Sequence, residues 1–409
     1  MSELYDVSIV GGGLVGLSLA HALRGQGLRV ALLEAAALAS NTAPDTHYDD
    51  RVLALAYGSR RIYEGMGLWS TLEPMATPIC NIHISDRGHF GSTRLHSRDL
   101  GLPALGYVIA AKQLGFALQQ ALRQIPELTV FAPMQVTGVA STPAAMQLDL
   151  LHQQQACQLR TRLLVLADGG QSPLAQQLDL LSQHHDYAQT AVIANITPSL
   201  AHQHWAYERF TDSGPLALLP MGEQRCSLVW TLKNTQVAGV LSLSDAEFLA
   251  ALQQRFGWRL GRLVQAGQRH AFPLHLSQQR QPVRPRLVVI GNAAHTLHPV
   301  AGQGLNLGLR DVALLAQTLV DQVRIGGDPG DIAVLQTYAA GRLPDQNQVI
   351  RFTDSLVKLF SNDHPLLALG RNLGLLALDR CLPPLKQSLI RQTTGLSRSP
   401  TRLGLGLPL

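Results

Sequence analysis

The chain has 409 residues and a formal net charge of +5, with 46% hydrophobic and 15% charged residues. This composition builds buried cores, with length for two domains or for one large domain with insertions, and it excludes a disordered chain. Aromatic residues are only 5% and no basic cluster is dense, which excludes nucleic acid as an expected partner, and no apolar stretch approaches the roughly 18 residues of a membrane span.

Glu3 and Asp6 precede the first apolar run, so a signal peptide is not expected. Asp6-Val7-Ser8-Ile9-Val10 reads as a buried strand, Gly11-Gly12-Gly13-Leu14-Val15-Gly16 as a tight turn, Leu14–Leu23 as a helix and Arg29–Leu33 as a second strand closed by Glu34. Together they make a dinucleotide-binding βαβ unit. Gly11 allows the turn, Gly13 lets a pyrophosphate approach the backbone, and Gly16 lets the helix pack close to the sheet. N–H groups at the helix start face the phosphate charge. Glu34, twenty-one residues after Gly13, can accept hydrogen bonds from adenosine ribose hydroxyls and would repel a 2′-phosphate. A glycine turn alone can bind nothing; strand, helix and acid in register favour a ligand here.

Ala35–Asp50 reads as a loop, and Arg51–Leu55 as the opening of a helix toward Trp69. Strands are expected around Cys80–Ser85, Leu105–Ala110, Leu128–Ala132 and Met146–Leu151, and a helix over Gln113–Arg123. The continuous apolar run Leu163–Ala167 is a buried strand ending in Asp168-Gly169-Gly170. His184-His185 reads as a surface turn, and Arg87 and His89 as turn and surface residues. Short strands at Thr190–Asn195, Pro215–Pro220 and Cys226–Thr231, with a helix at Asp245–Phe256, predict a mostly antiparallel sheet. Arg286–Ile290 returns as a buried strand ending in Gly291-Asn292, and the loop Ala301–Gly304 opens a helix over Leu305–Val323. From Ile332 onward the chain reads as helical.

The implied fold is α/β. A Rossmann-like domain spans residues 1–75, 101–180 and 283–331, an inserted α+β domain with a mostly antiparallel sheet spans 76–100 and 181–282, and residues 332–409 form a helical C-terminal region. Cys80, Cys157, Cys226 and Cys381 are scattered without CxxC spacing, as expected of buried thiols in a reducing cytoplasm. His295 and His298 have HxxH spacing but no third ligand cluster, so no metal is expected. Leu366–Leu409 carries six basic residues (Arg371, Arg380, Lys386, Arg391, Arg398, Arg402) and one acid, Asp379, among many leucines. Two readings stay open: a peripheral contact with the inner face of a membrane, or a tail packed on its own protein with a solvated basic face.

Three strand-end motifs therefore converge on one crevice: the glycine turn with Glu34, Asp168-Gly169, and Gly291-Asn292 with the second glycine loop. A dinucleotide long enough to meet both helix starts explains all three, and FAD is such a molecule. At these motifs the chain resembles the group A flavoprotein monooxygenases of the p-hydroxybenzoate hydroxylase type, over about residues 5–375. Asp50–Leu55, Ser85–His89, Glu208–Thr211, Gly214–Pro220, His298–Gly308 and Thr353–Phe360 are similar to the ubiquinone-biosynthesis hydroxylases, most of all to the 2-polyprenyl-6-methoxyphenol hydroxylases.

The resemblance implies that Gly11, Gly13, Gly16 and Glu34 hold the ADP half of FAD, with Arg51 near the pyrophosphate or flavin and Asp168 in a dual FAD/NAD(P)H element. Gly291 and Asn292 would contact the ribityl and phosphate region, and Gly302, Gly304, Leu305 and Asn306 would set backbone N–H groups beside the flavin. His298, Pro299 and Gln303 would be flavin-adjacent catalytic residues. Two departures stand out: Asn292 replaces an acid, and Ala110-Ala111-Lys112 replaces Glu-Asn-Arg, so Lys112 keeps a charge without the arginine fork. Arg209, Phe210 and Pro220 would wall a phenol pocket or pack the sheet, and Trp230 would pack the sheet. The implied reaction is hydroxylation of a polyprenylated methoxyphenol through a flavin C4a-hydroperoxide, with oxygen, NAD(P)H as reductant and other ubiquinone-biosynthesis proteins as partners. No second GxGxxG is present for NAD(P)H. An FAD oxidase, a prenyl reductase and a flavin-retaining assembly subunit without catalysis stay open as alternatives.

Overall fold

The structure is a computed structural model describing residues 3–38, 47–48, 51–153, 155–170, 172–180, 182–297, 302–360, 365–380, 382–396 and 401–409. Apolar residues alternate along the strands Leu4–Val10 and Gln155–Leu166, and these two strands pair in parallel at the centre of the first sheet. Val30–Leu33 and then Leu128–Phe131 extend it on one side, and Leu287–Val289 on the other, all parallel. Val7, Ile9, Leu163 and Val165 face the helices Leu14–Ala22, Ala111–Leu122 and Gln303–Arg324 in one core. Val10, Leu164 and Leu166 face the other way, in a core shared with the strand Met146–His152. Five parallel strand ends thus open on one edge, the arrangement that places a ligand crevice.

The second sheet is larger. Its strands Ser182–Pro198, Trp205–Thr211, Gly214–Pro220, Cys226–Lys233 and His270–Gln279 run mostly antiparallel. One pair breaks the pattern: Trp205–Thr211 runs parallel to Asn81–Asp86, an earlier segment that joins the sheet from far back in the chain. The expected helix from Arg51 is corrected. Val52–Ala56 is a strand, paired antiparallel with Gly106–Ala110, and the helix begins only at Tyr57. The apolar run of Val52–Leu55 gave no period to separate strand from helix, and the distant partner strand decides it. His184-His185 is likewise no turn; both lie exposed on the strand Ser182–Pro198, opposite Ser277 and Leu276.

The C-terminal part is helical at Ile332–Phe360, Pro365–Arg380 and Pro383–Thr393. Residues 401–409 return to the start of the fold: Leu403 is buried in the first core, and Arg61 donates to the Leu405 carbonyl at 2.6 Å. Among the described residues no helix is long and apolar enough to cross a membrane.

Candidate active site

Two helices begin at one cavity, both without a side-chain cap. Gly13 precedes Leu14–Ala22 and Gly302 precedes Gln303–Arg324. Uncapped N-termini leave backbone N–H groups and the positive dipole end for an anionic or electron-rich ligand. A Cβ at Gly13 would meet nothing within 4 Å, so this turn opens onto the cavity; at Gly16 it would lie 2.0 Å from the Gly11 carbonyl oxygen, so that glycine serves close packing. The cavity holds about 1200 Å³, above the range of about 300–1,000 Å³ usual for a single small ligand, which leaves room for a second molecule.

Gly11, Glu34, Arg51, Asp168 and Asn292 lie on its wall, as does the run Gly302–Asn306. Each oxygen of Glu34 accepts a backbone N–H, from Gly12 and from Ala36, which fixes the carboxylate and leaves further lone pairs for hydroxyl donors. Asp168 Oδ2 accepts from Ser172 Oγ at 2.6 Å, while Oδ1 is buried without a partner. Burial pushes this carboxyl up, against the pull of the Ser172 bond. The Arg51 guanidinium rests over the Phe272 ring at 5.2 Å and so ties the start of the strand Val52–Ala56 to the second sheet.

Other expected residues have side chains engaged inside the protein or lie off the wall, with Phe210 the exception. The Asn306 side chain is spent inside the protein: it accepts from Ala56 N and Ser59 Oγ and donates to the Ala54 and Gly302 carbonyls, leaving only its backbone for a ligand. Gln303 donates to the Thr393 carbonyl at 3.4 Å. Ala111 reaches the wall but Lys112 does not, and Gly291 lies behind it. Phe210 lines the cavity, whereas Arg209 and Pro220 do not. Trp230 is buried against Phe248, so it packs the sheet. His298 and Pro299 lie outside the described residues.

The sequence reading missed a buried ion network behind the cofactor end. Asp311 is fully buried and accepts from Gly291 N at 3.1 Å, His295 Nε2 at 2.6 Å, Arg342 Nε at 2.8 Å and Gln346 Nε2 at 3.0 Å. Burial alone would raise this carboxyl; the His295 and Arg342 charges and hydrogen bonds outweigh it and hold it far below the usual range. Arg342 also bonds Asp345 at 2.6 Å, and Arg310 joins from the same helix as Asp311. His295, half of the HxxH pair, is thus engaged by a carboxylate. The available signal was a lone acid on an otherwise apolar helix face, Leu307 to Leu315.

The cradle fits FAD: an open glycine turn, two uncapped helix starts at one cavity, a fixed acid and an orphaned carboxylate oxygen. The FAD binding domain family model matches residues 4–353. The chain belongs to this FAD-binding family. It is 38% identical to the ubiquinone hydroxylase UbiL of Rhodospirillum rubrum, over 100% of this chain and 94% of that one. It is 31% identical to the 3-demethoxyubiquinol 3-hydroxylase of Escherichia coli, over 96% and 98%. In fold it matches p-nitrophenol 4-monooxygenase from Pseudomonas putida with a TM-score of 0.80 at 17% identity, covering 98% of this chain and 100% of that one. The chain is an FAD-dependent monooxygenase, with FAD as cofactor.

Beyond the FAD cradle the cavity runs onto the second sheet. Its wall there mostly follows the strand period of two, with Ile82 and Ile84, then Ala206, Glu208 and Phe210, then Pro215, Ala217 and Leu219; Tyr207 reaches it as an exception. From the C-terminal helices, Leu375, Leu378 and Leu389 close this end. Glu208 is a second residue whose chemistry the sequence reading passed over. It is a lone carboxyl on an apolar strand face, and burial pushes it up to about 7.

Proposed function

We propose that this chain hydroxylates a polyprenylated methoxyphenol in ubiquinone biosynthesis, with NAD(P)H as reductant and oxygen as co-substrate. The observation that carries the reading is the single cavity continuous from the glycine cradle to the apolar sheet face; the names of the two relatives support the pathway. FAD, when bound, supplies the electron transfer and the oxygen chemistry. The protein's own residues bind, orient and exclude water. The two uncapped helix starts hold negative charge, the first at Gly13 and the second at Gly302–Asn306. Glu34 and Asp168 accept from the cofactor's donors. The apolar wall keeps water from the reacting ring. We also keep the division into an FAD-binding region (1–75, 101–180, 283–331), a substrate region (76–100, 181–282) and a helical C-terminus (332–409) as part of this reading.

The C-terminal helices suit a lipid-tailed substrate. Leu375 and Leu378 face the cavity, while Leu369 and Leu373, one turn apart on the same helix, are 50% and 52% exposed. Leu382 and Leu385 extend the exposed apolar surface. The basic residues contribute less than their number suggests: Arg371 is buried on Asp86 at 2.7 Å, and Lys386 is held by Asp99 and Asp379. The reading is therefore a peripheral contact made by leucines, with the prenyl chain entering between these helices.

The test uses labelled oxygen with NAD(P)H and a singly prenylated 2-methoxyphenol. One labelled atom on the ring is the expected result; label only in water or peroxide sinks the proposal.

A further inference from the structure

We infer that Glu208 is the base that takes the substrate's phenolic proton, a role that rests on the hydroxylase reading above. Three carboxyls lie on the described cavity wall. Glu34 and Asp168 belong to the cofactor end, and Glu208 stands on the substrate sheet. In register its neighbours are Ile84 on one side and Ala217 on the other, followed by Val229. Ala217 is too small to cover a carboxyl, so an aromatic ring can lie over it with its hydroxyl at Glu208. The next row along the same face, Phe210, Pro215 and Thr231, offers one ring for edge or face contact. No hydrogen bond or ion pair joins Glu208 to the described residues, and burial is the cause of its raised pKa. Glu208 is half-buried and opens onto the cavity, and a carboxyl stripped of most of its water with no protein partner is costly unless a ligand uses it.

The step is a proton transfer. The phenol O–H bond breaks, its electron pair stays on the oxygen, and a new O–H bond forms on the Glu208 carboxylate. The ring gains electron density at the positions ortho and para to that oxygen, where hydroxylation needs it. The proton returns to the product's oxygen before release. A base near 7 suits this exchange at neutral pH, because both of its protonation states are populated.

Other groups near Glu208 do not compete for the role. Phe210, Ile84, Leu356 and Leu375 pack together at this end and carry no charge. Asp86, beside Phe210, is already bonded by Arg371 and Asn372. His83, Arg94 and Arg209 alternate onto the opposite face of their strands, where burial and the charges of Arg259 and Arg94 hold His83 down to about 4. Tyr207 also reaches the cavity wall, but burial pushes its phenol up, so it keeps its proton at neutral pH.

The experiment uses the full chain loaded with FAD, with 2-methoxy-6-prenylphenol as probe. Anaerobic difference absorbance reads phenolate on binding, and product formation reads turnover. Wild type is expected to show a phenolate band and a kcat/KM that rises with pH around 7. Glu208→Gln should lose both, with kcat/KM down by roughly 10²–10⁴-fold. A nitro-substituted analogue of the probe, already ionised, should bind Glu208→Gln at least as tightly as wild type, because the repelling carboxylate is gone; a purely structural role predicts weaker binding. Glu208→Asp should keep the pH limb with a partial loss of rate, and it serves if the glutamine variant does not fold. A phenolate band and pH limb that survive in Glu208→Gln overturn the role while product formation leaves the hydroxylase reading intact. Wild type that yields no hydroxylated product overturns both.

Discussion

The two ends of the cavity are built by different means. The cofactor end is offered mainly by backbone, at glycine turns and helix N-termini, with the carboxylates of Glu34 and Asp168 beside them, and behind it lies the ion network centred on Asp311. At the substrate end, they come from side chains on alternate positions of strands brought from residues 82 to 274. The first end can hold one rigid, charged cofactor, whatever its neighbours do. The second can be retuned by single side-chain changes without disturbing the sheet ladder. Mutations at the two ends should therefore fail in different ways.

The largest effect is expected at Asp311. Asp311→Asn leaves Arg342 and His295 short of their buried partner and removes a charged acceptor for Gly291 N. Breaking a buried pair in this way costs about 3–5 kcal/mol. Thermal unfolding should show a large fall in Tm, and flavin absorbance a loss of bound cofactor, although Asp311 does not line the cavity. The sign of the pH dependence follows from the depressed carboxyl. Its contribution is fully present above the unfolded value of about 3.9 and is lost as pH falls through the lower folded value. The gap between wild type and Asp311→Asn should thus persist from neutral pH to about pH 5 and close in stronger acid. A gap that stays constant into strong acid would break the ionic account.

Next are two glycines of the same turn, which separate binding from packing. Gly16→Ala drives a methyl group into the Gly11 carbonyl, so it should destabilise the flavin-free protein by about 1–3 kcal/mol or more. Gly13→Glu meets no atom in its first step outward, so flavin-free stability should hold while the new carboxylate repels the pyrophosphate and the purified protein comes out colourless. Equal loss of flavin-free stability in both variants would remove the distinction.

This contrast also explains what could be read in the chain. The βαβ start, the Asp168 turn and the second glycine loop are local: a few adjacent residues set the turn, the helix start and the strand. The buried strands ending at Asp168 and Gly291 stand where the apolar runs placed them. Val52–Ala56 was misread because only its pairing with Gly106–Ala110, some fifty residues on, makes it a strand. The sequence leaves Arg209 open between pocket wall and sheet packing and does not single out Glu208, because a one-residue choice of strand face exchanges them, and that choice depends on the parallel pairing with Asn81–Asp86. Asp311 needed a partner 31 positions away, on another helix.

A smaller effect belongs to the C-terminal helix. Leu369→Gln with Leu373→Gln changes two exposed side chains and no residue of the cavity wall. Each leucine that enters a lipid surface contributes up to about 1.5–3 kcal/mol. Co-sedimentation with vesicles of phosphatidylethanolamine and phosphatidylglycerol should fall at least several-fold while flavin content and Tm stay unchanged. Deleting everything after Asn362 would be a poorer test, since it also removes the cavity residues Leu375, Leu378 and Leu389. Unchanged sedimentation would favour a tail packed on its own protein, as residues 401–409 already are.

The smallest effect is expected at Thr231, on the substrate face. Its hydroxyl oxygen is buried without a partner, on a strand where Thr231 stands opposite Ala191. Thr231→Val keeps the shape and removes a polar atom that the apo protein leaves unsatisfied. Because an unmade bond is what burial penalises, the change should be neutral or raise stability by up to about 1 kcal/mol. Removing an engaged hydroxyl, as in Ser172→Ala, which loses the bond to Asp168 and the cap on Ala175 N, should instead lower it. Paired thermal melts of Thr231→Val and Ser172→Ala test this. A Tm for Thr231→Val that drops as far as the Ser172 variant's would mean that the substrate end is held by side-chain hydrogen bonds after all, and the difference drawn between the two ends would fail at that point.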